Sequence, residues 1–167
     1  KMAAKKKTWQ EKMADKEDMP KILILEKTFP CYRPLAKMGA KVGDRVVLTN
    51  PSDVEEIMQE VPPGKLITLA EICRKLAQKF QVDACCTLTT GIFTMTAANA
   101  AEEANQEGKE NHNPYWRTLK MDGFLNDKYP GGQEFQRQKL EQEGFQIRKR
   151  GKRYQVIDYD KYLVKVG

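Results

Sequence analysis

His112-Asn113-Pro114-Tyr115-Trp116-Arg117-Thr118 is a short loop in which two aromatic residues and a cation follow a proline, and its reading decides the fold. The polar stretch Glu107 to Asn113 leads into it and carries the only histidine of the chain, His112, which a lone loop position leaves in solvent. Tyr115 and Trp116 admit two readings. Either they stack on a nucleic-acid base, a sequence-tolerant contact of roughly 1–3 kcal/mol, or they are core aromatics that fix the loop.

Upstream, a helix opens at Thr87 to Thr90 and runs through Ile92 to Asn105, carrying Ala97, Ala98, Ala100 and Ala101. Small side chains let a helix backbone come close to a partner, either another helix or the floor of a DNA groove. Glu102, Glu103 and Glu107 at the end of this helix would repel phosphates. Before it, Thr68-Leu69-Ala70-Glu71 is a capping-box sequence, and Leu69, Ile72, Cys73, Leu76 and Phe80 continue an apolar stripe, predicting a helix over 68–80. Asn50-Pro51-Ser52-Asp53 opens another helix, with Val54, Ile57, Met58 and Val61 at i, i+3, i+4 and i+7, ended by Pro62-Pro63-Gly64.

Downstream, Gln133 to Glu143 reads as a helix with Phe135 and Leu140 facing inward and Gly144 just past its end. Phe145 and Ile147, then Tyr154 and Val156, alternate across a turn at Arg150-Gly151-Lys152, the pattern of a hairpin. Arg148, Lys149 and Arg153 make its tip basic. At the other end, Trp9 and Met13 predict a short helix, with the first few residues disordered. Ile22-Leu23-Ile24-Leu25 fits either a strand or a helix capped by Asp18 with Pro20 in its first turn. Pro30 and Pro34 are expected to break the chain, and Gly39 to Asp44 to form a loop before a strand at Arg45 to Leu48.

Within 167 residues, 40% hydrophobic side chains suffice for a core, and 31% charged ones predict a well-solvated surface. No apolar run approaches the roughly 18 residues of a membrane helix. The basic amino end lacks an apolar signal region, so a cytoplasmic location is expected. A net charge of +6 is compatible with nucleic acid without requiring it. Cys31, Cys73, Cys85 and Cys86 show no C-x-x-C spacing, and reduced, buried thiols are expected. One histidine and scattered cysteines give no metal-ligand spacing, and no cofactor is expected.

Several motifs carry a family resemblance. Val61-Pro62-Pro63-Gly64-Lys65, the helix pair that follows, the 112–118 loop, Asp122-Gly123, Gly131-Gly132 and Leu140-Glu141-Gln142-Glu143-Gly144-Phe145 occur in this order over roughly residues 50–145. The region resembles the DNA-binding domain of the alkylguanine-DNA alkyltransferases (methylated-DNA-protein cysteine methyltransferases). Their active-site loop reads Pro-Cys-His-Arg-Val. The resemblance implies an α+β fold with a three-helix winged helix-turn-helix core over 50–145. Residues 1–49 would form an extension in place of the family's ribonuclease-H-like domain, and 146–167 a carboxy-terminal hairpin.

In that family the cysteine takes an alkyl group from a flipped guanine, activated through a histidine and water relay that a glutamate orients. Tyr115 stands at the cysteine position and Trp116 at the histidine, so only Arg117 and Glu143 remain of a degenerate site. A neutral phenol with a pKa near 10 is a poor alkyl acceptor. The family's second helix docks in the minor groove, with an arginine filling the space of the flipped nucleotide. That arginine aligns with Thr87 when Gly91 is equated with a family glycine, and a first-helix tyrosine falls at Leu69. A threonine cannot fill the gap, so flipping is expected to be weaker or to use another side chain.

The departures resemble those of the alkyltransferase-like proteins, which bind alkylated DNA without repairing it, although these usually keep the histidine and the arginine. The expectation is a non-catalytic protein for double-stranded, alkylated DNA. Thr87, Thr89, Thr90, Ala97 and Ala98 would meet DNA along the second helix. Tyr115 would join them, with Arg117, Lys120, Lys128 and the hairpin tip from Arg148 to Arg153, Arg150 included, on phosphates. Two alternatives stand beside it. One is a protein-interaction module using the alanine-rich helix. The other is an alkyltransferase using Cys85 or Cys86, whose thiol a helix N-terminus could activate.

Overall fold

The structure is a computed structural model that describes residues 6–15 and 18–167. The disorder expected for the first few residues falls on 1–5, outside the described residues. Trp9 and Met13 share one helix, α1 (Trp9–Ala14), whose first turn is capped by the Thr8 hydroxyl accepting from the Glu11 amide. The apolar run at 22–25 is a strand, not a helix. β1 (Lys21–Ile24) pairs antiparallel with β2 (Arg45–Leu48), Lys21 opposite Leu48 and Ile24 opposite Arg45. Pro34 does not break the chain. It lies in the first turn of α2 (Tyr32–Lys37), where its missing N–H would have had no partner within the helix.

Asn50 caps α3 (Pro51–Gln59) by accepting from the Asp53 amide at 3.0 Å. After β3 (Ile67–Thr68) comes α4 (Leu69–Lys79), which carries the capping box in full. The Thr68 hydroxyl accepts from the Ala70 amide at 3.2 Å, and Glu71 accepts from the Thr68 amide at 2.7 Å. Such caps contribute about 1 kcal/mol each. β4 (Ala84–Cys85) pairs parallel with β2 and completes a sheet of order β1-β2-β4. The 20-residue helix α5 (Thr87–Gln106) follows at once.

A tight 3-10 turn at Tyr115–Arg117 runs into β5 (Thr118–Leu119), which pairs parallel with β3, Ile67 opposite Thr118 and Thr68 opposite Leu119. That short ladder sets the loop beside the start of α4. α6 (Gly132–Gln142) then leads to the hairpin of β6 (Ile147–Arg150) and β7 (Arg153–Val156), closed by Gly151-Lys152 with Gly151 at φ +65°. The architecture is α+β, with three small sheets among the described residues. No helix among the described residues is long and apolar enough to cross a membrane.

Packing explains the alanines. α1 and α3 lie against α5, and Ala97, Ala98 and Ala101 are fully buried there with Val54, Met58, Ile72 and Leu76. A methyl side chain is what lets three helices approach on one face. Ala97 and Ala98 are therefore helix-packing residues, and the expectation that they floor a DNA groove is corrected. The acidic end of the helix is used internally as well. Glu103 accepts from the Trp9 and Gln10 amides at 3.2 and 3.1 Å, holding the start of α1, and Glu107 accepts from the Gln10 side chain at 3.1 Å. A second core of Leu66, Leu119, Leu125, Leu140, Phe145 and Val156 sits between α6 and the hairpin.

Candidate nucleic-acid interface

Tyr115 is an interior residue. It is 2% exposed, and its ring meets Trp116 and Tyr129 edge to face with centroids 5.5 Å apart in both pairs. Its hydroxyl lies 3.5 Å from a Glu102 carboxylate oxygen. Burial, and then the Glu102 charge, push its pKa well above that of a free phenol. It can neither act as a nucleophile near neutral pH nor offer a face to a base. Of the two readings of the aromatics, the core reading holds for Tyr115, and its place among the DNA contacts is corrected.

Arg117 is also engaged inward. Its Nε donates to Glu143 at 2.9 Å, and its Nη1 donates to the Val61 carbonyl at 2.8 Å. The indole N–H of Trp116 donates to the other oxygen of Glu143. With the two side chains 12% and 18% exposed, this is a largely buried pair in which one carboxylate serves two donors. It ties the 112–118 loop to the end of α6 and to the segment after α3. A guanidinium so held is not free for phosphate, so Arg117 too is corrected. Gln136 adds to the clasp, donating to the Trp116 and Thr118 carbonyls and accepting from the Asn126 amide.

On the other side of α5 lies an open cleft of about 440 Å³. Leu69, Leu88, Ile92, Met95 and Leu119 give it an apolar wall, while Lys120, Lys128 and Arg153 stand around it with one carboxylate, Asp122. Leu88 and Ile92 are 46% and 56% exposed. Thr87 lines the cleft at 5% exposure, and its hydroxyl has no hydrogen-bond partner among the described residues. Asn99 of α5 donates to the Lys128 carbonyl at 3.1 Å, pinning the Lys128 turn to the helix. The Arg153 guanidinium sits 3.7 Å from the centre of the Phe124 ring, a cation–π contact that steadies it at the rim. The hairpin is joined to the same region, because Gln155 donates to the Asp122 carbonyl at 2.6 Å.

The remaining sequence-predicted residues divide by exposure. Lys120 and Lys128 are exposed. So are Arg148 and Arg150 on β6, whose guanidiniums share the Gln155 side-chain oxygen at 3.1 and 3.3 Å. Thr89 is half-buried, with its hydroxyl on the Cys86 sulfur at 3.3 Å. Thr90 is fully buried and donates to the Cys86 carbonyl at 2.8 Å, so it is corrected to a helix-start residue. Sequence reasoning missed Leu88 and Ile92 as cleft residues, while Arg153 of the basic hairpin tip lines the cleft. The signal was present: Leu88, Ile92 and Met95 recur at i, i+4 and i+7 on the side of the helix opposite the alanines.

All four cysteines are free and buried. A hydrogen bond from Cys73 holds the Cys85 thiol below its ordinary value, with Thr90 adding to the effect, whereas burial and then Cys86 push Cys31 up to about 11. None of the four lines the cleft. Among the described residues, no three His, Cys, Asp or Glu side chains converge as metal ligands.

The chain is similar to two solved structures of a Schizosaccharomyces pombe protein. One is Atl1 in complex with damaged DNA containing O6-carboxymethylguanine, 20% identical over 70% of this chain and 94% of that one, with a TM-score of 0.47. The other is ATL in complex with DNA, with the same identity and coverage and a TM-score of 0.42. No family model matches the chain, and no curated protein matches it.

Proposed function

We propose that this protein binds double-stranded DNA and recognises alkylated bases in it without removing the alkyl group. The supporting observation is the cleft beside α5. An apolar wall large enough for a base is rimmed by Lys120, Lys128 and Arg153, and Leu69 and Thr87 meet in it, the two positions where the alkyltransferase resemblance puts the family's first-helix tyrosine and its arginine. Ligand pockets run from about 300 to 1,000 Å³. In this reading α4 and α5 are the helix-turn-helix pair, the β6–β7 hairpin is the wing, and residues 50–145 are the binding unit. Phosphates would meet the cleft cations together with Arg148 and Arg150. A non-catalytic role is supported by a buried phenol at the nucleophile position and by the absence of any thiol from the cleft lining.

The protein-interaction reading loses one of its two supports, because the alanine face is covered by α1 and α3. Glu103 and Glu107 accept from Gln10 and keep their charge. Anisotropy titration of a duplex containing O6-methylguanine, beside its unmodified control and over about 50 to 200 mM salt, tests the proposal. Tighter binding of the alkylated duplex and a steep loss with salt are expected. Equal affinity for the two duplexes would remove lesion recognition, and no binding at low salt would remove DNA binding.

A further inference from the structure

We infer that Leu88 and Ile92 form an apolar wedge that enters the base stack when the protein opens a duplex, a step that rests on the DNA-binding reading above. Opening a step costs a few kcal/mol, which a protein offsets by filling the gap and housing the extruded base. The residue aligned with the family's arginine, Thr87, is 5% exposed and cannot reach into a duplex. Its neighbour Leu88 can, and Ile92 stands one turn along on the same face.

Other large apolar side chains are exposed among the described residues, including Ile22, Ile24 and Val42. None of those three lines the cleft. Leu88 and Ile92 share their cleft with Lys120, Lys128 and Arg153. An aliphatic pair flanked by three cations complements a polyanion with an apolar interior, which is the chemistry of stacked bases between phosphates. It suits a protein core poorly, because burial there would strip water from the cations. Aliphatic wedges are an established way to kink and unstack a duplex from the minor groove.

Behind the wedge, the cleft supplies what an extruded base needs. Leu69, Met95 and Leu119 offer apolar contact, and Asp122 suits an exocyclic amino group better than a phosphate. Loss of the arginine is thus compensated by volume: two branched side chains replace one long cation.

The probe is a duplex of about 20 base pairs with 2-aminopurine beside O6-methylguanine, whose fluorescence rises when stacking is lost. Saturating wild-type protein should raise the signal. The double variant Leu88→Ala/Ile92→Ala should lower that amplitude roughly tenfold while leaving the salt slope of binding unchanged, since it removes no charge. The conservative pair Leu88→Met/Ile92→Leu should keep the signal. Both side chains are exposed, so circular dichroism of the variants should match the wild type. Binding without any fluorescence rise, or an alanine variant as effective as wild type, overturns the wedge and leaves DNA binding standing. A wild-type protein that fails to bind at low salt overturns both.

Discussion

Replacing Arg117 with methionine separates a structural role from a phosphate contact. The guanidinium sits in a largely buried pair with Glu143 and also donates to the Val61 carbonyl, so its removal leaves a carboxylate short of its counter-charge and a carbonyl unsatisfied. Breaking a buried pair on one side costs about 3–5 kcal/mol. The residual exposure of both partners admits some water, so the lower end, about 3 kcal/mol, applies here. For a chain of this length each kcal/mol lowers Tm by about 2–4 °C, so Arg117→Met should melt about 6–12 °C lower. Arg117→Lys keeps the charge but lacks the fork that reaches Glu143 and Val61 together, and should fall between. Thermal unfolding followed by circular dichroism reads the loss, and anisotropy well below Tm reads binding. The slope of log affinity against log salt should not change, whereas loss of one phosphate contact would reduce it by about 0.9. A Tm within 2 °C of wild type, or a slope reduced by that amount, refutes the reasoning.

Three further outcomes are expected. Tyr115→Phe should cost little, because the hydroxyl's contact with Glu102 is long at 3.5 Å, while Tyr115→Ala should cost about 3–5 kcal/mol in urea unfolding, as for other buried aromatics. Lys120→Gln with Lys128→Gln should reduce the salt slope by about 1.8 and leave Tm nearly unchanged, both side chains being exposed. Acid should release α1 before the rest of the fold. The Gln10 side chain, and then the Gln10 and Trp9 amides, hold the Glu103 carboxyl below its ordinary value. Its contribution is thus present above the unfolded carboxylate pKa of about 4.3 and lost as pH falls through the lower folded value. Hydrogen-exchange protection of the α1 amides that survives unchanged at pH 3 would contradict this.

Local chemistry made most elements readable in the sequence. The capping box at Thr68 and Glu71, the Asn50 cap and the Gly151 turn each act within a few residues, and each forms as its residues imply. What failed was set at long range. Ile22 to Leu25 could be helix or strand until Arg45 to Leu48 offered a ladder, a partner more than twenty residues away. Pro34 reads as a break, yet a short helix tolerates it in the first turn, where no intrahelical bond is lost.

Several candidate site residues differ from the sequence reading in direction. Thr90, Ala97, Ala98, Tyr115 and Arg117 are where the motifs put them, on the second helix and its following loop, but they face the interior. A helix with small residues on one side and large aliphatics on the other has two faces that could meet a partner. Which one turns inward depends on what else the chain supplies. Here α1 and α3 take the alanine face, because close approach of three helices requires methyl-sized side chains. Leu88 and Ile92 are consequently left outside, beside cations contributed by the 120–128 segment and by the hairpin. The same burial that removes Arg117 from the phosphate contacts is what holds the Tyr115–Arg117 turn, and hence β5 and Leu119, in place against the start of α4. The loop and the cleft wall are therefore held by one contact: Trp116 and Arg117 together close on Glu143, and this carboxylate fastens the loop to the end of α6.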